Sequence, residues 1–251
     1  MTWRVPKHSW LPMGSDSFRF RQFELRQDRC AMKVGTDGTL LGAWALMPGE
    51  ASGRVLDIGT GTGLIALMMA QRYPEAEVTA IDIDAGAVSQ AQENVAASPF
   101  ARRVTVMEMA LQQMGESSRV ADQPSSRYDA LVCNPPFFVN SLACPDARRT
   151  AARHASSLPL TDLTAAASVL LSNGGELSVI LPADLHSSMD AAAALSGLFA
   201  HRVCRFFTSV RKPAKRVLLA YGRQPADTFE QTQLVLGDDD YRQLVAPFYL
   251  K

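Results

Sequence analysis

Val55-Leu56-Asp57-Ile58-Gly59-Thr60-Gly61-Thr62-Gly63, with the helical stretch Leu64 to Arg72 behind it, reads as strand, glycine turn and helix. Glycines here permit positive φ and leave no Cβ in the way of a ligand approaching the backbone. The spacing Gly-x-Gly-x-Gly departs from the Gly-x-Gly-x-x-Gly fingerprint of dinucleotide sites, where a pyrophosphate sits on the helix N-terminus. It suits a nucleoside ligand without pyrophosphate, which needs only close packing past the turn. Nineteen residues beyond Gly63, the run Glu77 to Ile81 ends in Asp82, whose carboxylate can accept both hydroxyls of a ribose.

Outward from this unit, apolar β-rich segments alternate with helical patterns, which predicts an α/β fold with crossover helices. Strands are expected at 53–58, 77–82, 103–108, 128–133, 175–181, 203–210 and 215–222, and helices near 39–47, 63–72, 85–97, 160–172 and 185–198. Arg211-Lys212-Pro213-Ala214 is too short to join the last two strands in parallel, so they form an antiparallel hairpin. The pattern is that of a Rossmann-like seven-stranded sheet with an antiparallel C-terminal hairpin. Asn173-Gly174-Gly175 is expected to stop a helix, and Glu116 to Ser126 to form a surface loop. Phe206-Phe207 and the tail Pro247-Phe248-Tyr249-Leu250 are assigned to the core rather than to a contact surface.

The strand at 128–133 runs directly into Asn134-Pro135-Pro136-Phe137. These residues also mark ordinary turns, but their place after a glycine loop and an acid-terminated strand gives them a chemical reading. The lone pair of an exocyclic adenine amine is delocalised into its ring, so an enzyme alkylating it must aim acceptors at the two N–H groups. An Asn side-chain oxygen and the carbonyl of a following Pro can do so. Proline donates no hydrogen bond and holds φ near −65°, so the paired prolines fix a rigid turn. Phe137 offers a face for base stacking. Together with the glycine loop, this points to S-adenosyl-L-methionine as the donor of a methyl group.

At 251 residues, 47% hydrophobic and 20% charged, the chain can bury a full core, and no repeat or linker divides it. Its formal charge of +0 makes any nucleic-acid footprint local. From Asn140 to Arg223, however, ten Lys and Arg stand against five Asp and Glu. Arg148, Arg149, Arg153 and His154 follow the Asn-Pro-Pro-Phe motif, and Arg211, Lys212, Lys215 and Arg216 surround the hairpin. Such clusters suit phosphate contacts, although each residue alone also fits an ordinary solvated face. Cys30, Cys133, Cys144 and Cys204 form no Cys-x-x-Cys pair and have no ligand-spaced histidines, so reduced thiols and no metal are expected. No signal-peptide core precedes the fold and no apolar run is long enough for a membrane, so a cytoplasmic protein is expected. The oligomeric state stays open, with a monomer expected.

With Met32-Lys33-Val34-Gly35-Thr36-Asp37-Gly38-Thr39-Leu40-Leu41-Gly42-Ala43-Trp44 upstream and Arg153-His154 past the Asn-Pro-Pro-Phe motif, the chain resembles the bacterial valine-tRNA adenine-N6 methyltransferases from about Phe18 to its end. The resemblance implies one catalytic domain over residues 1–251, in which residues 1–50 complete the cofactor and substrate pocket. It implies N6-methylation of the adenosine beside the anticodon, with Asn134, Pro135, Pro136 and Phe137 catalytic. The cofactor would be bound by Lys33, Gly35, Thr36, Asp37, Asp57, Gly59, Gly61, Gly63, Asp82 and Asn134, and the tRNA by Arg148, Arg149, Arg153, Arg211, Lys212 and Lys215. Asp37 could alternatively cap the helix that follows it. One departure stands out: where such enzymes carry an acid that accepts from the cofactor's adenine amine, this chain has Ala110, and Glu108 is the nearest substitute. The rival readings are a guanine-N2 ribosomal RNA or protein-glutamine methyltransferase, a dehydrogenase on the same sheet, and an inactive RNA chaperone.

Overall fold

The computed structural model describes residues 16–28, 34–49, 52–114, 127–136 and 158–250. A short antiparallel hairpin comes first, β1 (Ser17–Arg19) with β2 (Glu24–Arg26), followed by α1 (Thr36–Trp44). Next come β3 (Arg54–Ile58), α2 (Leu64–Arg72), β4 (Glu77–Asp82), α3 (Ala85–Ala96) and β5 (Val104–Glu108). The second half holds β6 (Tyr128–Cys133), α4 (Leu160–Leu170), β7 (Leu171–Pro182), α5 (His186–Leu195), β8 (Phe199–Phe207), β9 (Arg216–Gly222), β10 (Glu230–Val235) and α6 (Asp239–Val245).

Strands β3 to β10 form one sheet in the order β10-β8-β9-β7-β6-β3-β4-β5. The strands from β7 to β5 run parallel, β9 runs antiparallel to both β7 and β8, and β10 is parallel to β8. Central strands are covered on both faces and therefore read as near-continuous apolar runs. Alternate residues feed two cores. Val55, Val78 and Val132 pack with α1, α2, α3 and α6, whereas Leu56, Ile81 and Leu131 pack with α4 and α5. Helix α1 lies close on α2 through two glycines one turn apart. A Cβ on Gly38 would stand 3.0 Å from Leu64 Cδ2, and one on Gly42 would stand 2.7 Å from Met68 Sδ. The amino and carboxyl ends also meet, since Arg21 N donates to Phe248 O at 2.7 Å and Phe20 stacks on Tyr249. Phe206 and Phe248 are core residues, as expected, whereas Pro247 and Leu250, assigned to the core with them, are exposed.

Several expectations need correction, among them the strand expected at 203–210, which runs instead over Phe199–Phe207. Among the described residues the sheet has eight strands rather than seven, because Glu230–Val235 adds an edge strand whose first four residues are exposed. A solvated edge carries no hydrophobic alternation, so the sequence holds no period-two signal there. Strand β7 begins at Leu171, not 175, and Asn173-Gly174-Gly175 falls inside it, where the pairing shifts from Tyr128↔Leu171 to Ala130↔Glu176. These residues form an irregularity within the strand, and the preceding helix has already ended at Leu170. Helix α1 starts at Thr36 rather than 39, with Gly35 as its N-cap.

Candidate active site

Strand register assembles the site. Ile58 pairs with both Cys133 and Ile81, so the residues that follow, Gly59, Asn134 and Asp82, leave the sheet side by side at one edge. Gly59 N and Thr60 N both donate to Ile81 O, at 2.9 and 3.0 Å, which closes the turn on the neighbouring strand. Gly59 and Gly61 have φ of 69° and 57°, and among the described residues beyond their chain neighbours no heavy atom lies within 4 Å of the place where either Cβ would sit. The turn therefore needs glycine conformationally and borders open space. Gly63 also has positive φ, at 83°, and a Cβ there would meet Ala91 of α3 at 3.5 Å, an ordinary contact, so its requirement for glycine is conformational.

Two carboxylates flank this space. Asp57 is fully buried, and its Oδ2 accepts from Thr60 Oγ1 at 2.6 Å and from Ala66 N at 3.0 Å. Its Oδ1 is buried with no hydrogen-bond partner among the described residues. Burial pushes this carboxyl up to about 7 against the lowering effect of the Thr60 and Ala66 hydrogen bonds, and nearby Asp82 adds to the rise. Asp82 is only half-buried. Its Oδ2 accepts from Gly61 N at 2.9 Å and its Oδ1 from Asp84 N at 3.0 Å, which fixes the carboxylate while leaving a lone pair on each oxygen. Asp84 in turn caps α3 through Gly86 N and Ala87 N. An open glycine turn, an aimed carboxylate and a buried acceptor lacking a donor together fit a ligand that carries a ribose and a cationic centre.

Asn134 is half-buried, Pro135 buried and Pro136 exposed. Phe137, Lys33, Arg148, Arg149, Arg153, His154, Cys30, Cys144 and the stretch 116–126 lie outside the described residues. Gly35 and Thr36 sit at the start of α1, and Asp37 in its first turn. The capping alternative for Asp37 fails, since Gly35 is the N-cap and no side chain caps the helix. Asp37 Oδ2 instead pairs with Arg216 Nε at 2.7 Å. Arg216 is thus turned inward, whereas Arg211, Lys212 and Lys215 are exposed between β8 and β9. That segment reaches the same sheet edge as Asn134, because Arg216 pairs with Pro182 at the carboxyl end of β7.

At the third strand, Glu108 is exposed and pairs with Asp82, and Ala110 N donates to Gln113 Oε1 at 3.2 Å. Cys133, beside Asn134, is a free buried thiol whose pKa burial raises well above its ordinary value, so it is no nucleophile. Among the described residues no group of three or more His, Cys, Asp or Glu is placed to hold a metal, and no helix is long and apolar enough to cross a membrane.

Two residues escape sequence reading. Asn94 of α3 is buried, and its Nδ2 donates to Thr62 O at 2.8 Å and to Arg26 O at 2.9 Å while its Oδ1 accepts from Arg26 N at 2.8 Å. One amide thereby ties the glycine turn to β2. Gln27 Oε1 accepts from Val34 N at 2.8 Å and holds the approach to α1. The one available signal, for Asn94, is a polar residue on an apolar helix face, which does not reveal its partners.

The model of the methyltransferase small domain matches residues 37–202. The chain is 44% identical over 249 residues to the tRNA1(Val) (adenine(37)-N6)-methyltransferase of Aeromonas hydrophila, covering 95% of this chain and 100% of that one. It is 41% identical over 244 residues to the enzyme of the same name from Bacteroides fragilis, with the same coverage. Among solved structures it resembles a predicted O-methyltransferase from Agrobacterium tumefaciens, with a TM-score of 0.61 at 21% identity over 84% of this chain and 96% of that one. The glycopeptide N-methyltransferase MtfA gives a TM-score of 0.52 at 16% identity, over 76% and 100% of the two chains. Both likenesses bear on the fold.

Proposed function

The chain belongs to the methyltransferase small-domain family and to the tRNA1(Val) (adenine(37)-N6)-methyltransferases, and from that premise we propose that it methylates N6 of adenosine 37 in a valine tRNA, using S-adenosyl-L-methionine. The observation that supports this reading is the emergence of Asn134-Pro135 beside Gly59 and Asp82, where amine acceptors would adjoin a nucleoside site.

When bound, S-adenosyl-L-methionine supplies a methyl group activated by its sulfonium charge. Asp82 holds the ribose hydroxyls, and the turn from Gly59 to Gly63 lets the nucleoside approach the backbone. The Gly35-Thr36-Asp37 turn and Lys33 cover the methionine end. Asn134 Oδ1 and the Pro135 carbonyl accept from the two N–H groups of the adenine amine, and so direct its nitrogen at the methyl carbon. These acceptors would stabilise the charge growing on nitrogen as it takes up the methyl group, by about 3 kcal/mol per contact. Alignment contributes up to roughly 7–11 kcal/mol in ideal cases. The methylated amine is acidic and loses its proton to water, so no strong base is required. Phe137 stacks the base, whose extrusion costs a few kcal/mol and least in a single-stranded loop, which favours an anticodon loop over duplex DNA. Exposed Arg211, Lys212 and Lys215, with Arg148, Arg149 and Arg153, supply phosphate contacts.

The test is methyl transfer from labelled S-adenosyl-L-methionine into unmodified bulk tRNA, followed by digestion and mass identification of the nucleoside. N6-methyladenosine is the expected product. Label in ribosomal RNA or in a protein glutamine, with none in tRNA, would contradict the proposal.

A further inference from the structure

Arg216 opens β9 and Asp37 lies in the first turn of α1, 179 residues apart in sequence yet joined Nε to Oδ2 at 2.7 Å. Both side chains are largely withdrawn from solvent, at 21% and 27% exposure, so this pair is screened less than a surface one. The guanidinium is further directed by its Nη1, which donates to Lys215 O at 3.1 Å. The turn it grips is held elsewhere too. Val34 N is pinned by Gln27 Oε1, Thr39 Oγ1 donates to Gly35 O at 3.3 Å, and Gly38 is seated on Leu64, the residue that follows Gly63. The α1 N-terminus therefore packs directly on the residue that follows the glycine loop.

We propose that Arg216 is a positioning residue for the methyl donor. By holding Asp37, it presets the Gly35-Thr36-Asp37 turn against the donor pocket, and it does not serve as a phosphate contact for the RNA. The inference rests on the donor-site reading above. It divides the basic cluster by function: Arg211, Lys212 and Lys215 face outward, and Arg216 works inward. An arginine suits the task because its planar fork can hold a carboxylate and a carbonyl at once.

The experiment measures S-adenosylhomocysteine affinity by calorimetry, tRNA affinity against salt concentration, and thermal unfolding, for Arg216→Gln, Arg216→Lys, Asp37→Asn, the double variant Arg216→Gln with Asp37→Asn, and Lys212→Ala. Arg216→Gln is expected to weaken S-adenosylhomocysteine binding by about fivefold to tenfold and to raise the KM for the donor more than it lowers kcat. Its tRNA salt slope stays that of wild type, and Arg216→Lys recovers part of the loss. The double variant loses no more than either single change, as a shared contact requires. Lys212→Ala behaves oppositely, lowering the salt slope by about 1 with donor affinity unchanged. The inference is overturned if Arg216→Gln leaves S-adenosylhomocysteine affinity within about twofold of wild type, if it lowers the salt slope as Lys212→Ala does, or if the two changes add. Wild-type protein that takes up no S-adenosylhomocysteine would remove the functional reading first, and this inference with it.

Discussion

The two sides of the cleft are built differently. On the donor side, Gly59, Gly61, Asp57 and Asp82 are fixed by hydrogen bonds to Ile81, Thr60, Ala66 and Asp84, and every strand beneath them is covered on both faces. On the acceptor side, Asn134 stands half-buried at a strand end, Pro136 is exposed, and the basic residues between β8 and β9 face solvent. The difference follows from what each side handles. A small, chemically constant donor rewards a site organised in advance, whereas a large RNA brings much of its own order and needs only aimed acceptors and cations.

The sharpest way to break this division is to alter one side and read the other. Asn134→Ala removes an acceptor made fully effective only as charge develops on nitrogen, so kcat should fall by about 10²–10³-fold while donor affinity changes by about tenfold or less. Asp82→Ala should do the reverse, weakening S-adenosylhomocysteine by about 1–3 kcal/mol in calorimetry through the loss of charge-assisted ribose hydrogen bonds. Asn94→Ala takes its partner from the buried Thr62 carbonyl and from the part-buried Arg26 N–H and carbonyl, and denaturant unfolding should show a loss of about 2–3 kcal/mol.

Asp57 gives a subtler test. Its folded-state carboxyl titrates near 7, above its unfolded value of about 3.9, so the folded state holds the extra proton. The stability tied to that proton is complete below about pH 4 and is lost as pH rises to about 7. Asp57→Asn should flatten that part of the stability profile of donor-free protein. A cationic donor favours the ionised carboxylate, so wild type should release a proton on binding and bind more tightly as pH rises through about 7, a trend the variant lacks. The smallest effect belongs to Lys215→Ala, which should lower the tRNA salt slope by about 1 and leave donor binding alone.

The same division governs what the sequence reveals. The donor half was legible because buried parallel strands are uninterrupted apolar runs and positive φ demands glycine, so Val55 to Gly63 carries both the strand and the turn. Asp82 was legible because a strand end is a fixed place. Strand β10 escaped because Glu230 to Gln233 lie exposed at a sheet edge, where nothing enforces alternation. Arg216 was read as one more cation facing RNA because charge along a sequence has a sign but no direction, and its partner Asp37 is 179 residues away. Asn94 was hidden for the same reason, its three hydrogen bonds reaching two segments far from α3 in the chain.

The central claim is that a donor pocket organised in advance meets an amine held by Asn134. It is tested most directly by single-turnover methylation of unmodified valine tRNA with saturating S-adenosyl-L-methionine, comparing wild type, Asn134→Ala and Asp82→Ala, with the product located by mass. Wild type is predicted to form N6-methyladenosine at position 37, Asp82→Ala to approach that rate at saturation, and Asn134→Ala to remain about 10²–10³-fold slower at any donor concentration. Recovery of the Asn134→Ala rate by added donor, or methylation at another atom, would contradict the account.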